Sequence, residues 1–312
     1  MRISEELKAR VIELDRRYRS TWDAHAIAHV VGLSATTVAK ILREIRGPRP
    51  KRAKRPHTRR TRFLRRDIMW SSDFVDLGFG WKLVKTIDEM SGFRLGWDLC
   101  RTETAEAMLA HARSIVARMG RAPLAWKYDH GSAFTSRKFQ RFLAHHKIVP
   151  YPIPPRSPWV NGRVERDHQD ILNWLIPLAG RDVTRAALER EIDEGMWMLN
   201  YVKPRASLSF RKSAEVYFND ESWTEHDTDG ESRDFLAQAI RDAKFELNVP
   251  DPNESAWSLS KSGERRHRKA VRMALQQQGW YEEWDTAVQE GPDGPPPEAG
   301  SVNRTAGQNV SF

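Results

Sequence analysis

Between Arg46 and Arg66 the chain reads RGPRPKRAKRPHTRRTRFLRR, eleven Lys/Arg without a single acid. Three prolines (Pro48, Pro50, Pro56) exclude a helix, and no apolar period offers a face to bury. The stretch predicts an extended linker over 46–66, so the 312 residues divide into folding units on either side of it. Charge divides at the same place. The overall +9 is made of +13 over 1–66, +4 over 67–218 and −8 over 219–312. An extended basic segment can follow phosphates and release their counterions, which makes nucleic acid the leading partner class. Arg52, Arg55, Arg59 and Arg60 are its candidate contacts to the DNA backbone.

Several classes fall away. Hydrophobic residues make up 39% of the chain, enough for a core and against full disorder. The single cysteine, Cys100, excludes a disulfide scaffold and any Cys-based zinc module, and suits a reducing cytoplasm. No apolar run approaches the ~18–20 residues that span a bilayer, and the first residues carry no apolar signal segment. The expectation is a cytoplasmic protein with no membrane partner.

Before the linker, Leu7, Val11, Leu14 and Tyr18 fall on one helical face behind a Ser4 cap. Asp23 opens a second helix, Gly32 breaks it, and Ser34 caps a third through Val38, Ile41 and Leu42. Ala28, Gly32 and Val38 have the spacing of a helix-turn-helix: close approach, a left-handed turn and an apolar lock. Thr36, Thr37, Lys40 and Arg43 would face outward from the third helix toward bases or phosphates. His25 and His29 are half of a zinc site at most, because no CxxC follows.

After the linker, strands are expected over 69–75, 81–87 and 93–99, then a helix closed by Gly120. A strand over 124–128, a helix over 136–145, a strand over 148–151 and a helix over 161–175 follow. This β-β-β-α-β-α-β-α order implies an antiparallel meander with parallel additions. The fold class is therefore α/β: an RNase H-like mixed five-stranded sheet flanked by helices, preceded by an all-α helix-turn-helix domain. Three acids take unusual places. Asp73 lies inside the apolar strand WSSDFV, where a carboxylate is costly unless paired or metal-bound. Asp129 ends the strand AWKYD, and Glu165 opens the helix after a proline-rich loop, with 35 residues between the two. Oxygen ligands of this kind suit Mg²⁺ or Mn²⁺, and two ions can clamp an in-line phosphoryl transfer. Asp167 and Asp170 share that helix but lie well round from Glu165, and read as exposed partners for arginines.

These residues, with KYDHGSAFTS around Asp129, SPWVNGRVE ending at Glu165, and the downstream LNYVKP and SAEVY, resemble the DDE transposases and integrases with a retroviral-type integrase core. The bacterial insertion-sequence transposases are the members most similar, and the resemblance spans about 24–218. It implies that Asp73, Asp129 and Glu165 are the catalytic residues and hold two Mg²⁺ (or Mn²⁺) ions. It implies cleavage at element ends followed by 3′-OH attack on target DNA, and assembly into at least a dimer on double-stranded DNA. Ser157, Arg163 and Arg166 are candidate phosphate contacts. One departure is that Leu172 stands where such relatives carry a lysine seven residues after the glutamate.

The expected organisation is 1–45 helix-turn-helix, 46–66 linker, 67–180 catalytic core, 181–218 helical extension, 219–290 acidic helical region and 291–312 disordered tail. Two helices are expected in the acidic region, and GWYEEW (279–284) would make an aromatic contact with a partner or pack a tail helix. A helper protein would engage this region. Two other readings are a DNA-binding regulator with a silent core, and a metal-dependent nuclease of the same fold without strand transfer.

Overall fold

The computed structural model describes residues 3–47, 59–78, 80–154, 162–219, 230–249 and 261–285. It opens with α1 (Glu5–Arg17), α2 (Ala24–Val31) and α3 (Ala35–Arg46). Each start is set by a side-chain cap: Ser4, Asp23 and Ser34 accept from the backbone N–H of Leu7, Ala26 and Thr37. Gly32 ends α2 at φ 72°, and the chain bends by 117° before α3. Val11, Leu14, Ile27, Val38 and Ile41 close the interior. Arg46 pairs with buried Asp15 and donates to the Trp22 carbonyl at 3.0 Å, tying the end of α3 to α1.

The end of the basic run departs from expectation. β1 (Arg59–Phe63) is a strand rather than unpaired linker, and its partner is the last strand of the chain. The five-stranded sheet follows: β2 (Met69–Asp76), β3 (Lys82–Asp88) and β4 (Arg94–Cys100) pair antiparallel. α4 (Ala105–Met119), closed by Gly120 at φ 67°, leads to β5 (Ala125–Tyr128), parallel to β2. Short α5 (Ser132–Thr135) and α6 (Arg137–His145) lead to β6 (Val149–Pro152), parallel to β5. The spatial order is β4-β3-β2-β5-β6, an RNase H-like mixed sheet, as the element order predicts. α7 (Gly162–Leu175), α8 (Arg185–Trp197) with a π turn over Met198–Val202, and α9 (Ser213–Phe218) complete this part.

Alternation along the strands sorts the core. Trp70, Val84, Trp126 and Tyr128 point to one face and pack under α4 and α6. Leu83 and Leu99 point to the other, where they join α7, α8 and the N-terminal helices in one cluster. The N-terminal helices are therefore docked on the core, not held apart by the linker. Trp22 Nε1 lies 3.4 Å from Met198 Sδ, and Arg19 donates to the Trp174 carbonyl at 2.9 Å and to Glu191 at 2.6 Å.

The C-terminal segment also belongs to this body. α10 (Gly230–Glu246) and α11 (Lys261–Gln277) pack on each other and over Met69, Leu124, Ala125 and Tyr151. α11 covers the edge strand β6: His267 donates to the Pro150 carbonyl at 2.8 Å and Arg268 to that of Pro152 at 3.2 Å. Pro150 and Pro152 have no N–H to offer a further strand, so the edge is closed chemically and sterically. From Tyr281 of GWYEEW the structure shows β7 (Tyr281–Asp285), antiparallel to β1, in place of the packing of a tail helix. The physical reason is register: Phe63 sits opposite Tyr281 with ring centroids 5.1 Å apart, and Arg62 opposite Glu282. Among the described residues no single helix is long and apolar enough to cross a membrane.

Candidate active site

β2 is the central strand, and Asp73 stands near its C-terminal end, opposite Lys85 of β3. Its carboxylate is a fifth exposed and accepts the Phe74 N–H at 2.8 Å. Burial, and then the charge of Asp129, push the Asp73 carboxyl up to about 7, against the pull of the Phe74 N–H and Lys85. Asp129 follows β5, which is parallel to β2, so the two acids emerge from the same end of neighbouring strands. Asp129 is exposed, and its Oδ1 accepts the Gly131 N–H at 2.9 Å. A Cβ at Gly131 would stand 3.0 Å from that oxygen, so glycine leaves Asp129 room to fold over the turn.

α7 crosses this end of the sheet. Its His168 places Nδ1 3.8 Å from Asp73 Oδ2, and burial and the Lys85 charge push the imidazole down to about 3. Glu165 lies one helical turn before His168 on α7; its side chain is outside the described residues. Two carboxylates, one driven upward by burial and then by the charge of the other, form a set that a cation would relieve, and their hard oxygens fit Mg²⁺ or Mn²⁺. Among the described residues no three His, Cys, Asp or Glu side chains already converge on a common point.

Beneath the site lies a group that the sequence reading missed. Asp167, expected to be exposed, is buried and pairs with Lys85 and Arg94, with Arg205 at 3.8 Å. Burial opposes the charge, but Arg94, Lys85 and Arg205 outweigh it and hold the Asp167 carboxyl far below the usual range. Lys85 is wholly buried, which brings its ammonium down to about 8 although Asp167 attracts it. The cations share one carboxylate, so the acid gains more than each base does. Asp170, also expected outside, is buried against Lys203 at 2.8 Å, and Lys203 donates onward to the Thr21 carbonyl. The available signal was Lys85 itself, a lysine inside the apolar run KLVKTID, which at mid-sheet requires a buried acid.

The candidate DNA contacts separate into groups. Thr36, Lys40 and Arg43 are exposed on α3, and half-exposed Thr37 accepts the Ser34 hydroxyl at 2.8 Å. Arg166 is exposed on α7. Arg163 is engaged: it lies 3.7 Å from buried Glu89 and donates to the Met90 carbonyl at 3.2 Å. Glu89 in turn holds Lys127 and Ser71, so Arg163 belongs to a structural group and has little freedom to meet phosphate. Arg59 and Arg60 lie in β1, opposite Asp285 and Trp284. Arg52, Arg55 and Ser157 lie outside the described residues. His130, beside Asp129, places Nε2 3.5 Å from Glu264 of α11, so the C-terminal helix reaches the edge of the site.

The integrase core domain family model matches residues 65–158, which include Asp73 and Asp129. Among solved structures, the chain is similar to one described as a cryoEM structure of the simian T-cell lymphotropic virus intasome in complex with PP2A regulatory subunit B56 gamma. Identity is 18% over 69% of this chain and 76% of that one, with TM-score 0.48. It is similar to the HTLV-2 integrase catalytic core domain in complex with magnesium, at 23% identity over 50% of this chain and 99% of that one, TM-score 0.42. For the catalytic core domain of BIV integrase the figures are 20%, 50%, 97% and 0.41. No curated protein matches the sequence.

Proposed function

We propose, from the premise that residues 65–158 are an integrase core of the polynucleotidyl transferase class, that this chain is a DNA transposase or integrase. It would bind element ends and carry out divalent-metal-dependent cleavage and strand transfer by 3′-OH attack on target DNA. The observation that carries the reading is the placing of Asp73 on β2 beside Asp129 just past the end of parallel β5, where the Asp129 charge acts on Asp73, with Glu165 on the helix that crosses them.

Asp73, Asp129 and Glu165 would hold Mg²⁺ or Mn²⁺, two ions, and bound there the ions supply charge neutralisation for an in-line phosphoryl transfer. The protein's own part is to fix the acids. The Phe74 N–H orients Asp73, the Gly131 N–H orients Asp129, and buried Asp167 anchors the turn of α7 that follows Glu165. α3 supports a helix-turn-helix reading: it is capped by Ser34, bent away from α2 and exposes Thr36, Lys40 and Arg43. The basic run through Arg52 and Arg55 would follow the backbone. Joining two ends requires at least a dimer.

The test is a cleavage and joining assay with the full chain in Mg²⁺ or Mn²⁺, on duplexes carrying inverted repeats read from the DNA that flanks its gene. Nicking followed by joining is the expected result, and Asp129→Asn should remove both while DNA binding survives. Joining retained in that variant overturns the assignment; nicking without joining in the unmutated chain leaves a nuclease.

A further inference from the structure

α11 carries more positive charge than its packing uses. Its buried face is formed by His267, Arg268, Val271 and Leu275, with Glu264 at its upper edge beside His130. At ~100° per residue, Arg265, Lys269 and Arg272 lie together on one flank of that face, and Arg266 lies on the other side. Arg266 donates to the Asn248 carbonyl at the end of α10, so α10 covers its side. Arg268 meets Glu264 and the β6 carbonyl, and Arg272 meets Tyr151 at 3.2 Å and Glu283 of β7 at 3.5 Å. Arg265 and Lys269 are the remainder. Both are exposed, and neither has a hydrogen bond or ion pair among the described residues.

Their place gives that remainder a meaning. The first turn of α11 touches His130, the neighbour of Asp129. The same flank leads through Arg272 to β7, which pairs with β1, the strand that ends the basic run and exposes Arg62. Two unengaged cations thus stand along the helix whose first turn reaches the rim of the carboxylate pair, inside a segment whose net charge is −8. Charge complementarity selects a polyanion that must pass Asp129.

We propose that Arg265 and Lys269 form a phosphate-backbone track that holds duplex DNA at the Asp129 side of the active site. The inference rests on the reading of the core as a DNA-processing enzyme. It gives the C-terminal region a substrate-holding role.

The test measures binding of the full chain to a fluorescent random-sequence duplex over a salt series. Arg265→Ala/Lys269→Ala should lower the slope of log K against log salt by about 2, near 0.9 for each phosphate no longer neutralised. Arg265→Lys/Lys269→Arg should keep it. Both side chains are exposed, so an unchanged melting temperature shows the fold intact. A slope equal to the unmutated chain's overturns the track, while loss confined to Lys40→Ala/Arg43→Ala leaves DNA binding to α3 alone and overturns it equally. A lowered slope in a chain with no metal-dependent cleavage supports the track and overturns the enzymatic reading instead. Absence of duplex binding by the unmutated chain overturns both.

Discussion

Four aspartates within one face of this fold meet opposite fates. Asp73 stands within β2 and Asp129 just past the end of β5, open to solvent in part or whole, and the Asp129 charge acts on Asp73. Asp167 and Asp170 lie a few residues beyond Glu165 on α7, buried and matched by Lys85, Arg94 and Lys203. In the first pair the Asp129 charge adds to the cost of burying Asp73; the second is matched by buried cations of the chain itself. The difference teaches how to read a carboxylate in this molecule. Like charge gathered at Asp73 and Asp129 is what the proposed cation would relieve, and charge compensated in the interior sets the position of α7.

The largest effect expected from breaking this contrast is chemical. Asp129→Asn should cost about 10³-fold or more in cleavage, the scale of removing one dedicated group that stabilises transition-state charge. Its thermal stability without metal should equal or exceed that of the unmutated chain, because a like charge beside Asp73 is gone. Loss of fold together with loss of activity would place Asp129 with the structural acids. Asp167→Asn is the converse. Removing one member of a buried group leaves Lys85 and Arg94 unpaired, at a cost of about 3–5 kcal/mol, read as a lower denaturation midpoint. A Lys85→Met/Asp167→Leu double variant should recover only the Lys85 share of that loss, since Arg94 and Arg205 stay buried without their carboxylate. If Asp167→Asn unfolds as the unmutated chain does, the interior group is not what holds α7.

Much of this was legible in the sequence, for physical reasons that can be located residue by residue. Asp73 stood out because a carboxylate inside WSSDFV violates the burial rule, and Asp129 and Glu165 because they sit where a strand ends and a helix begins. The mixed sheet followed from element order, and the caps Ser4, Asp23 and Ser34 lie where their side chains indicate. Asp167 and Asp170 were misread because helical angle alone treats the arc away from Glu165 as solvent. α7 instead packs against the sheet, and Lys85 and Arg94 arrive from strands more than seventy residues earlier. The β1–β7 ribbon was invisible for a similar reason. Arg-rich 59–63 has no intrinsic strand signal until Tyr281–Asp285 supplies backbone partners and facing acids. Pairings this remote leave no local period to read.

A third carboxylate pair tests whether the contrast is complete, and carries the smallest effect. Asp67 and Asp88 are both wholly buried and also face each other. Asp67 accepts Trp70 Nε1 at 2.8 Å and the Tyr217 hydroxyl at 2.7 Å, and pairs with Arg121 at 2.8 Å. Asp88 accepts the Asp67 N–H, the Ser91 N–H and the Ser91 hydroxyl. Burial, then the Asp67 charge, push the Asp88 carboxyl up to about 7 despite those donors. An acid raised in the folded state keeps a proton there that the unfolded chain releases near pH 4. The contribution of Asp88 to stability should therefore fall as pH rises from about 4 to about 7 and level off above. Asp88→Asn cannot lose that proton, so the unmutated chain should lose on the order of 1–2 kcal/mol relative to the variant between pH 5 and 8. Denaturant melts of both proteins across that range measure it. A difference that does not change with pH would mean that the donors around Asp88 compensate its charge as fully as Lys85 and Arg94 compensate Asp167. In that case like-charge repulsion would be confined to Asp73 and Asp129.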